Sequence, residues 1–153
     1  MRIQKILLPH DFSEHCEPAV EYACDLAKKY KAQVTVLHVY QLPGMAFPEG
    51  YVVAGPETVQ KMLSQVEAAL QKAKAEVEAK GVDAVEAKTA QGVPFSEIVR
   101  TAREEDFDLI VMGTHGRTGL KHALLGSVAE KVVRKAPCAV LTVRPSDMEF
   151  EMP

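Results

Sequence analysis

Residues 109–112 form an unbroken apolar run, Leu-Ile-Val-Met, with the length of a short strand. A strand that carries no polar face is buried on both sides, as happens in a parallel sheet covered by helices. The rest of the chain alternates between β-rich runs and stretches of helical periodicity. That alternation predicts an α/β protein in which helices cover both faces of one parallel sheet.

Five β-rich runs alternate with four helical stretches. The runs lie at 3–8, 34–39, 82–89, 109–112 and 138–143, and the helical stretches lie at about 19–30, 59–77, 94–103 and 127–135. The charges within 82–89 suit an edge strand. Residues 41–56 hold three prolines and three glycines and are expected to form a long loop. Because crossovers between parallel strands are right-handed, the pattern predicts a single doubly wound sheet.

The size and charge of the chain limit its class. We predict one domain at 1–145, followed by a C-terminal tail at 146–153. A formal net charge of −3 argues against a nucleic-acid partner, and no apolar run is long enough for a membrane span. The N-terminal apolar region is too short for a signal peptide. Cys16, Cys24 and Cys138 are odd in number and form no C-x-x-C pair, which favours reduced thiols in a cytoplasmic protein.

A glycine-rich, basic loop connects the run at 109–112 to the helix at 127–135. Its spacing is G-x2-G-x9-G-S, formed by Gly113, Gly116, Gly126 and Ser127, and Arg117 adds a cation. Glycines let backbone N–H groups approach an anion, and a helix N-terminus adds a partial positive charge. The loop lacks the lysine of a P-loop and the G-x-G of a dinucleotide loop. We interpret it as a phosphate-binding loop of a different kind.

A purely structural interpretation of these residues stays open. Ser127 and Glu130 have the S-x-x-E spacing of a capping box, so the loop could simply end in a capped helix. Both interpretations can hold, because a capping hydroxyl can also face a phosphate. Asp11, after the first strand, could accept hydrogen bonds from ribose hydroxyls or could cap the first helix. The residues alone do not separate these roles.

Three segments, taken in order, resemble the universal stress proteins of the ATP-binding type. They are Ile-Leu-Leu-Pro-His-Asp-Phe-Ser-Glu at 6–14, the glycine motif at 113–127, and Ala-Pro-Cys-Ala-Val-Leu-Thr-Val-Arg at 136–144. The resemblance covers nearly the whole chain, to about Pro145. It implies the strand order 3-2-1-4-5, which periodicity does not reveal. In that order the ends of strands one and four meet at the switch point, where doubly wound proteins bind ligands.

The resemblance also implies which residues contact an adenine nucleotide. Asp11 would meet the ribose, and the backbone of Val39 would meet the adenine. Gly116 and Arg117 would lie near the phosphates, which residues 126–128 would bind through N–H groups and a hydroxyl. The full implied set is Pro9, Asp11, Val39, Met112, Gly113, Gly116, Arg117, Gly126, Ser127 and Val128.

His10 belongs to the same predicted site, although the family often has a smaller or β-branched residue there. The predicted ligand is ATP, and the sequence does not separate it from AMP, ADP or cyclic AMP. Magnesium or manganese could accompany it, held mainly by the phosphates. A protein-only metal site formed by His10, His15, Cys16 and His38 matches no standard spacing.

Three functions fit these residues. The leading one is an adenine-nucleotide-binding regulatory protein of the stress response. The second is an enzyme that hydrolyses ATP slowly or transfers a phosphoryl group. Efficient transfer is not expected, because Asp11 is the only obvious carboxylate and is assigned to the ribose. The third is an interaction module whose nucleotide is structural.

The last strand, at 138–143, predicts a homodimer. In the implied order it is an edge strand, and it contains neither charge nor proline. Such an edge readily pairs with another chain, and a two-fold axis would set two copies antiparallel. The resemblance implies the same interface. The alternative is that the tail beyond Pro145 folds back and covers the edge.

Overall fold

A computed structural model of the chain describes residues 2–114 and 125–144, which contain a central parallel sheet. The strands in these residues are β1 Lys5–Pro9, β2 Gln33–Tyr40, β3 Gly44–Phe47, β4 Gly50–Val53, β5 Val85–Gln91, β6 Leu109–Gly113 and β7 Ala139–Val143. The sheet has five strands in the order β5-β2-β1-β6-β7. Counted along the sheet's own strands, this is the order 3-2-1-4-5, so the predicted fold is confirmed.

Helices cover both faces of this sheet. The α-helices in the described residues are α1 Glu17–Tyr30, α2 Pro56–Ala79, α3 Pro94–Glu104 and α4 Ser127–Lys135, and a short 3-10 helix, Glu14–Cys16, precedes α1. Proline occupies one of the first two positions of α1, α2 and α3, where its missing N–H leaves no helical hydrogen bond unmade. Helices α1 and α2 pack on one face, and α3 and α4 on the other.

The central strands send alternate side chains into two separate cores. Ile6 and Val111 pack under α1 and α2, whereas Leu7 and Ile110 pack under α3 and α4. All four are fully buried. Each such side chain contributes about 1.5–3 kcal/mol of transfer free energy. Burial on both faces explains why the run at 109–112 is apolar throughout.

The predicted long loop after β2 contains a hairpin, so that prediction was wrong. Strands β3 and β4 pair antiparallel around a turn at Pro48 and Glu49, and α2 begins at Pro56. The prolines and glycines that suggested a loop lie at the ends and turn of this hairpin. Every residue of β3 and β4 is exposed, so no buried face produced a signal in the sequence.

The capping box that the S-x-x-E spacing left open as an alternative is absent at the start of α4. Gly126 is the N-cap residue, with φ −64° and ψ 156°, and no side chain caps the helix. Ser127 is already the first helical residue, so its hydroxyl is one position too late to act as the cap. Glu130 instead pairs with Arg134, with an Oε1–Nη2 distance of 3.0 Å.

Candidate ligand site at the switch point of the sheet

A cavity of about 850 Å³ opens at the carboxyl ends of β1, β2 and β6, where the strand order reverses. The first turn of α4, the stretch of α2 at 62–69, and Pro94 and Ile98 of α3 complete its walls. Ligands of open doubly wound sheets bind at this position, beyond the carboxyl ends of strands at the switch point. Its volume lies within the range of small-molecule and cofactor sites.

Most of the residues predicted to contact a ligand line this one cavity. They are Pro9, His10, Asp11, Val39, Met112, Gly113, Gly126, Ser127 and Val128. Gly116 and Arg117 lie outside the described residues. Asp11 and Gly113 are about a hundred positions apart in the sequence, and the pairing of β1 with β6 brings them to the same cavity.

The carboxylate of Asp11 holds the turn that follows β1. Its Oδ1 accepts hydrogen bonds from the Ser13 N–H at 2.9 Å, the Ser13 hydroxyl at 2.6 Å and the Cys16 thiol at 3.0 Å. Burial raises the pKa of Asp11, but these bonds outweigh it, and the pKa lies below its ordinary value. Asp11 is therefore ionised at neutral pH. It stabilises the turn before the 3-10 helix and does not cap α1, whose N-cap is Cys16.

Cys16 is a hydrogen-bond donor in this turn. Burial raises the pKa of its thiol to about 12, and the ionised Asp11 beside it adds to the rise. The thiol therefore keeps its proton at physiological pH, and a protonated thiol is a poor nucleophile and a poor metal ligand. Within the residues described, no group of three or more histidine, cysteine, aspartate or glutamate side chains is placed to hold a metal ion.

Two histidines and a phenylalanine pack beside Asp11 in an arrangement that the sequence did not predict. The Nδ1 atom of His10 accepts a hydrogen bond from the Phe12 N–H at 3.1 Å. His38, which is 6% exposed, donates from Nδ1 to the His10 carbonyl at 2.8 Å. The Phe12 and His38 rings stack with their centroids 4.1 Å apart. These contacts join β2 to the turn that carries Asp11.

The start of α4 offers backbone donors to the cavity. The Gly126 N–H donates to the Thr114 carbonyl at 2.6 Å. This N–H group is therefore already engaged within the protein and is not free for the phosphate that the sequence predicts for it. Ser127 and Val128 lie in the first helical turn, where N–H groups have no carbonyl partner within the helix. Together with the helix dipole, these groups favour an anion at this end of the cavity.

One wall of the cavity comes from α2, the helix that the periodicity at 59–77 predicted. Met62, Val66 and Ala69 are half-buried and line the cavity, together with Gln65. The buried residues of α2 all lie in its second half: Leu70, Ala73 and Val77. An apolar stripe looks the same over a core and over a cavity, so periodicity could not separate the two halves.

None of the helices in the described part of the chain is long and apolar enough to cross a membrane. The fold is that of a doubly wound α/β domain with a cavity at its switch point. The family model described as the universal stress protein family matches residues 2–144. The chain therefore belongs to the universal stress protein family.

Relatives and solved structures cover nearly the whole chain. Universal stress protein MJ0531 of Methanocaldococcus jannaschii is 39% identical over 144 residues, which span 92% of this chain and 82% of that protein. Universal stress protein YxiE of Bacillus subtilis is 36% identical over 92% of this chain and 98% of its own length. UspA from Lactobacillus plantarum superposes with a TM-score of 0.80 at 25% identity, covering 94% and 99% of the two chains.

A further solved structure in this family is a universal stress protein in complex with cAMP. It superposes with a TM-score of 0.72 at 26% sequence identity. The match covers 95% of this chain and 100% of that one.

Proposed function

We propose that this protein binds an adenine nucleotide, ATP above all, and acts as a regulatory protein of the stress response. The observation that carries the proposal is the cavity at the switch point, which has a carboxylate on one side and a helix N-terminus on the other. The complex of a similar universal stress protein with cAMP supports an adenine nucleotide as the ligand.

The charges around the cavity suggest how such a nucleotide would lie. Asp11 would accept hydrogen bonds from the ribose hydroxyls, and the backbone of Val39, at the end of β2, would meet the adenine. The first turn of α4, at Ser127 and Val128, would bind phosphate oxygens through N–H groups that have no helical partner. Gly116 and Arg117 would add contacts to the phosphates. Magnesium or manganese, if bound, would be held mainly by the phosphates.

The hydrogen bonding of Asp11 and the protonation of Cys16 favour nucleotide binding over rapid ATP hydrolysis. The Oδ1 atom of Asp11 is engaged by donors from Ser13 and Cys16, and the Cys16 thiol keeps its proton. Phosphoryl transfer needs a residue that positions the nucleophile and carboxylates that hold the metal ions. We therefore place slow ATP hydrolysis, or an interaction module with a structural nucleotide, second to a nucleotide-binding regulator.

Mass spectrometry of the purified protein after denaturation tests this proposal. We expect a retained adenine nucleotide, and titration calorimetry with ATP, ADP, AMP and cyclic AMP would then rank the ligands. ADP that accumulates during incubation with ATP would favour the enzymatic alternative. Absence of a bound nucleotide together with no heat of binding for any of the four would overturn the proposal.

Two neighbouring alanines of α2 provide a matched test of where the nucleotide binds. Ala69 is half-buried and lines the cavity, whereas Ala68 is exposed and lies outside it. Ala69→Phe should fill part of the cavity and weaken ATP binding by about tenfold or more, which corresponds to about 1.4 kcal/mol. Ala68→Phe should bind like the wild type. Equal affinities of the two variants would show that the nucleotide lies elsewhere.

We also propose a cytoplasmic homodimer that joins through β7. This strand ends the sheet and pairs with β6 on one side only among the described residues. Its five residues include no charge and no proline, whereas the opposite edge, β5, carries Glu86 and Lys88. A cytoplasmic location is supported by three cysteines without a disulfide. The tail at 146–153, the alternative cover for this edge, lies outside the described residues, and its separation from the domain stays a prediction.

A further inference from the structure

Two consecutive side chains after β1 bond the backbone two residues ahead of them. The Nδ1 atom of His10 accepts the Phe12 N–H at 3.1 Å, and the Oδ1 atom of Asp11 accepts the Ser13 N–H at 2.9 Å. Aspartate and asparagine commonly make this bond, which forms an Asx turn. Histidine can replace them because its Nδ1 is separated from the backbone by the same number of bonds as the side-chain oxygen of asparagine.

Histidine differs from asparagine in that it can lose this acceptor. A neutral imidazole has one donor nitrogen and one acceptor nitrogen, whereas a protonated imidazole has two donors. The bond from the Phe12 N–H therefore requires neutral His10 with its proton on Nε2. Protonation of Nδ1 would place its N–H group against the N–H group of Phe12. The turn that His10 forms with Phe12 would then break.

The neighbouring backbone depends on that turn. Phe12 has φ 64°, in the left-handed region that non-glycine residues rarely adopt. The His10 side chain bonds its N–H, and His38 stacks on its ring while donating to the His10 carbonyl. Asp11 lies between these two anchored residues and lines the cavity. Loss of the bond to His10 would free the backbone of Phe12, the residue that follows Asp11.

We propose that His10 is a positioning residue: its neutral imidazole holds the turn that presents Asp11 to the nucleotide, and its protonation weakens binding. The inference rests on the proposed function, since it concerns the same cavity. It makes the site sensitive to acid, so that the protein would release its ligand when the surroundings are acidified.

The groups around His10 determine where this change falls. Burial lowers the pKa of His10, and His38 on β2 lowers it further, whereas Asp11, Glu76 on α2 and Glu17 on α1 raise it. Burial is the largest effect, so the pKa lies below the ordinary value of 6.5. The bond is therefore intact at neutral pH and is lost as the pH falls through this lowered pKa. His38 does not act in the same way, because its Nδ1 donates to a carbonyl in either protonation state.

Three variants separate the effect of His10 protonation on ATP binding from other effects of pH. His10→Asn keeps an acceptor for the Phe12 N–H but does not titrate, and His10→Ala has no acceptor at any pH. His15→Asn is the matched control, because it removes a histidine from the neighbouring 3-10 helix that does not line the cavity. The dissociation constant for ATP is measured by calorimetry for each protein between about pH 8 and about pH 5.

We expect the wild-type dissociation constant, relative to that of His10→Asn, to rise by up to about tenfold per pH unit as the pH falls below the pKa of His10, and to level off near the value of His10→Ala. Titration of the ATP phosphates affects all proteins alike, so the ratio of variant to wild type at each pH is the quantity compared. His15→Asn should follow the wild type, and His10→Ala should bind weakly throughout. A constant ratio between His10→Asn and the wild type would overturn the inference while nucleotide binding stands.

A measurement without nucleotide tests the turn itself. In the wild type, the Phe12 amide resonance should shift as His10 titrates, and the ring nitrogens of His10 should report the Nε2–H form above its pKa. In His10→Asn the Phe12 amide should not shift over that pH range. Neutral His10 with its proton on Nδ1 would overturn the inference. Failure of the wild type to bind ATP at any pH would instead overturn the proposed function.

Discussion

Gly126 ends the glycine-rich loop where α4 begins, yet its backbone does not require glycine. Its φ of −64° and ψ of 156° are open to any residue. It lines the cavity beside the first turn of α4. We therefore propose that glycine is favoured here because it leaves space for a ligand.

Gly126→Val should abolish ATP binding and leave the fold intact, because the side chain would occupy the space proposed for phosphate. Gly55 provides the matched control. It is the N-cap of α2, with φ −59° and ψ 160°, and a side chain added there meets nothing within 4 Å. Gly55→Val should bind ATP like the wild type in calorimetry. Wild-type affinity in Gly126→Val would count against phosphate binding at α4.

Asp108 acts at the opposite end of the sheet from the cavity. Its Oδ2 accepts hydrogen bonds from the N–H groups of Gln4 at 2.7 Å and Lys5 at 2.9 Å, which ties the start of β1 to the start of β6. The Gln4 and Lys5 N–H groups lower the pKa of this carboxyl. The stabilisation is present above the pKa of an unfolded aspartate and is lost as the pH falls through the lowered folded value.

Asp108→Ala should lower the free energy of unfolding at neutral pH by about 1 kcal/mol or less, because the carboxylate is exposed to solvent. Urea denaturation at neutral and at acidic pH measures the difference. The deficit of the variant should shrink in acid, where the wild-type carboxyl is protonated. An equal deficit at both pH values would mean that the charge contributes nothing.

At the scale of elements, the hairpin β3–β4 contributes no buried residue to either core. An isolated two-stranded hairpin is marginally stable in water. All of its residues are exposed, including Phe47 at 48% and Tyr51 at 60%. It connects the end of β2 to α2, and both of these elements line the cavity. Its position suits a cover that becomes ordered when a ligand binds.

We predict that the amides of 44–53 exchange rapidly with solvent without nucleotide and slowly with ATP bound. Hydrogen exchange followed by mass spectrometry measures both states. The amides of β1, in the middle of the sheet, serve as the internal reference because they should be protected in each state. Equal exchange of the hairpin in both states would exclude a role as a cover.

At the scale of the whole molecule, the two edge strands of the sheet differ in charge. Lys88 of β5 pairs with Glu105, with an Nζ–Oε1 distance of 2.6 Å, and such charges discourage pairing with a second sheet. Strand β7 has no charge, and Leu141 packs against the core beneath α1 and α2. Thr142 is half-buried and is not among the residues of either core. A substitution there tests pairing through β7 with less effect on the core than a substitution of Leu141.

Thr142→Lys should convert the proposed dimer to a monomer, because it would place a charge within the antiparallel pairing of two β7 strands. Thr89→Lys makes the same change on the β5 edge and should stay dimeric. Light scattering at micromolar concentration gives the mass of each protein. A monomeric wild type, or a dimeric Thr142→Lys, would reject β7 as the interface.

The parts of the fold that were predicted correctly from the chain depend on local pattern. The run at 109–112 became a strand buried on both faces, and α4 spans the residues 127–135 that its periodicity indicated. Burial of one face or of both faces determines which positions of a strand or helix are apolar. The pattern can therefore be recognised in the sequence without knowing which elements pack against it. The strand order came from the resemblance to a family, because pairing between distant strands leaves no periodic trace.

Only the tertiary structure decided which residues form the walls of the cavity. The periodicity of α2 indicated a helix without separating core from cavity. The structure shows that Met62 and Val66 line the cavity, whereas Leu70 and Val77 are buried in the core. The bonds that join His10, Phe12 and His38 depend on a left-handed residue and on a strand 28 positions away. Side-chain type sets what each group can donate or accept, whereas the path of the backbone sets which groups meet.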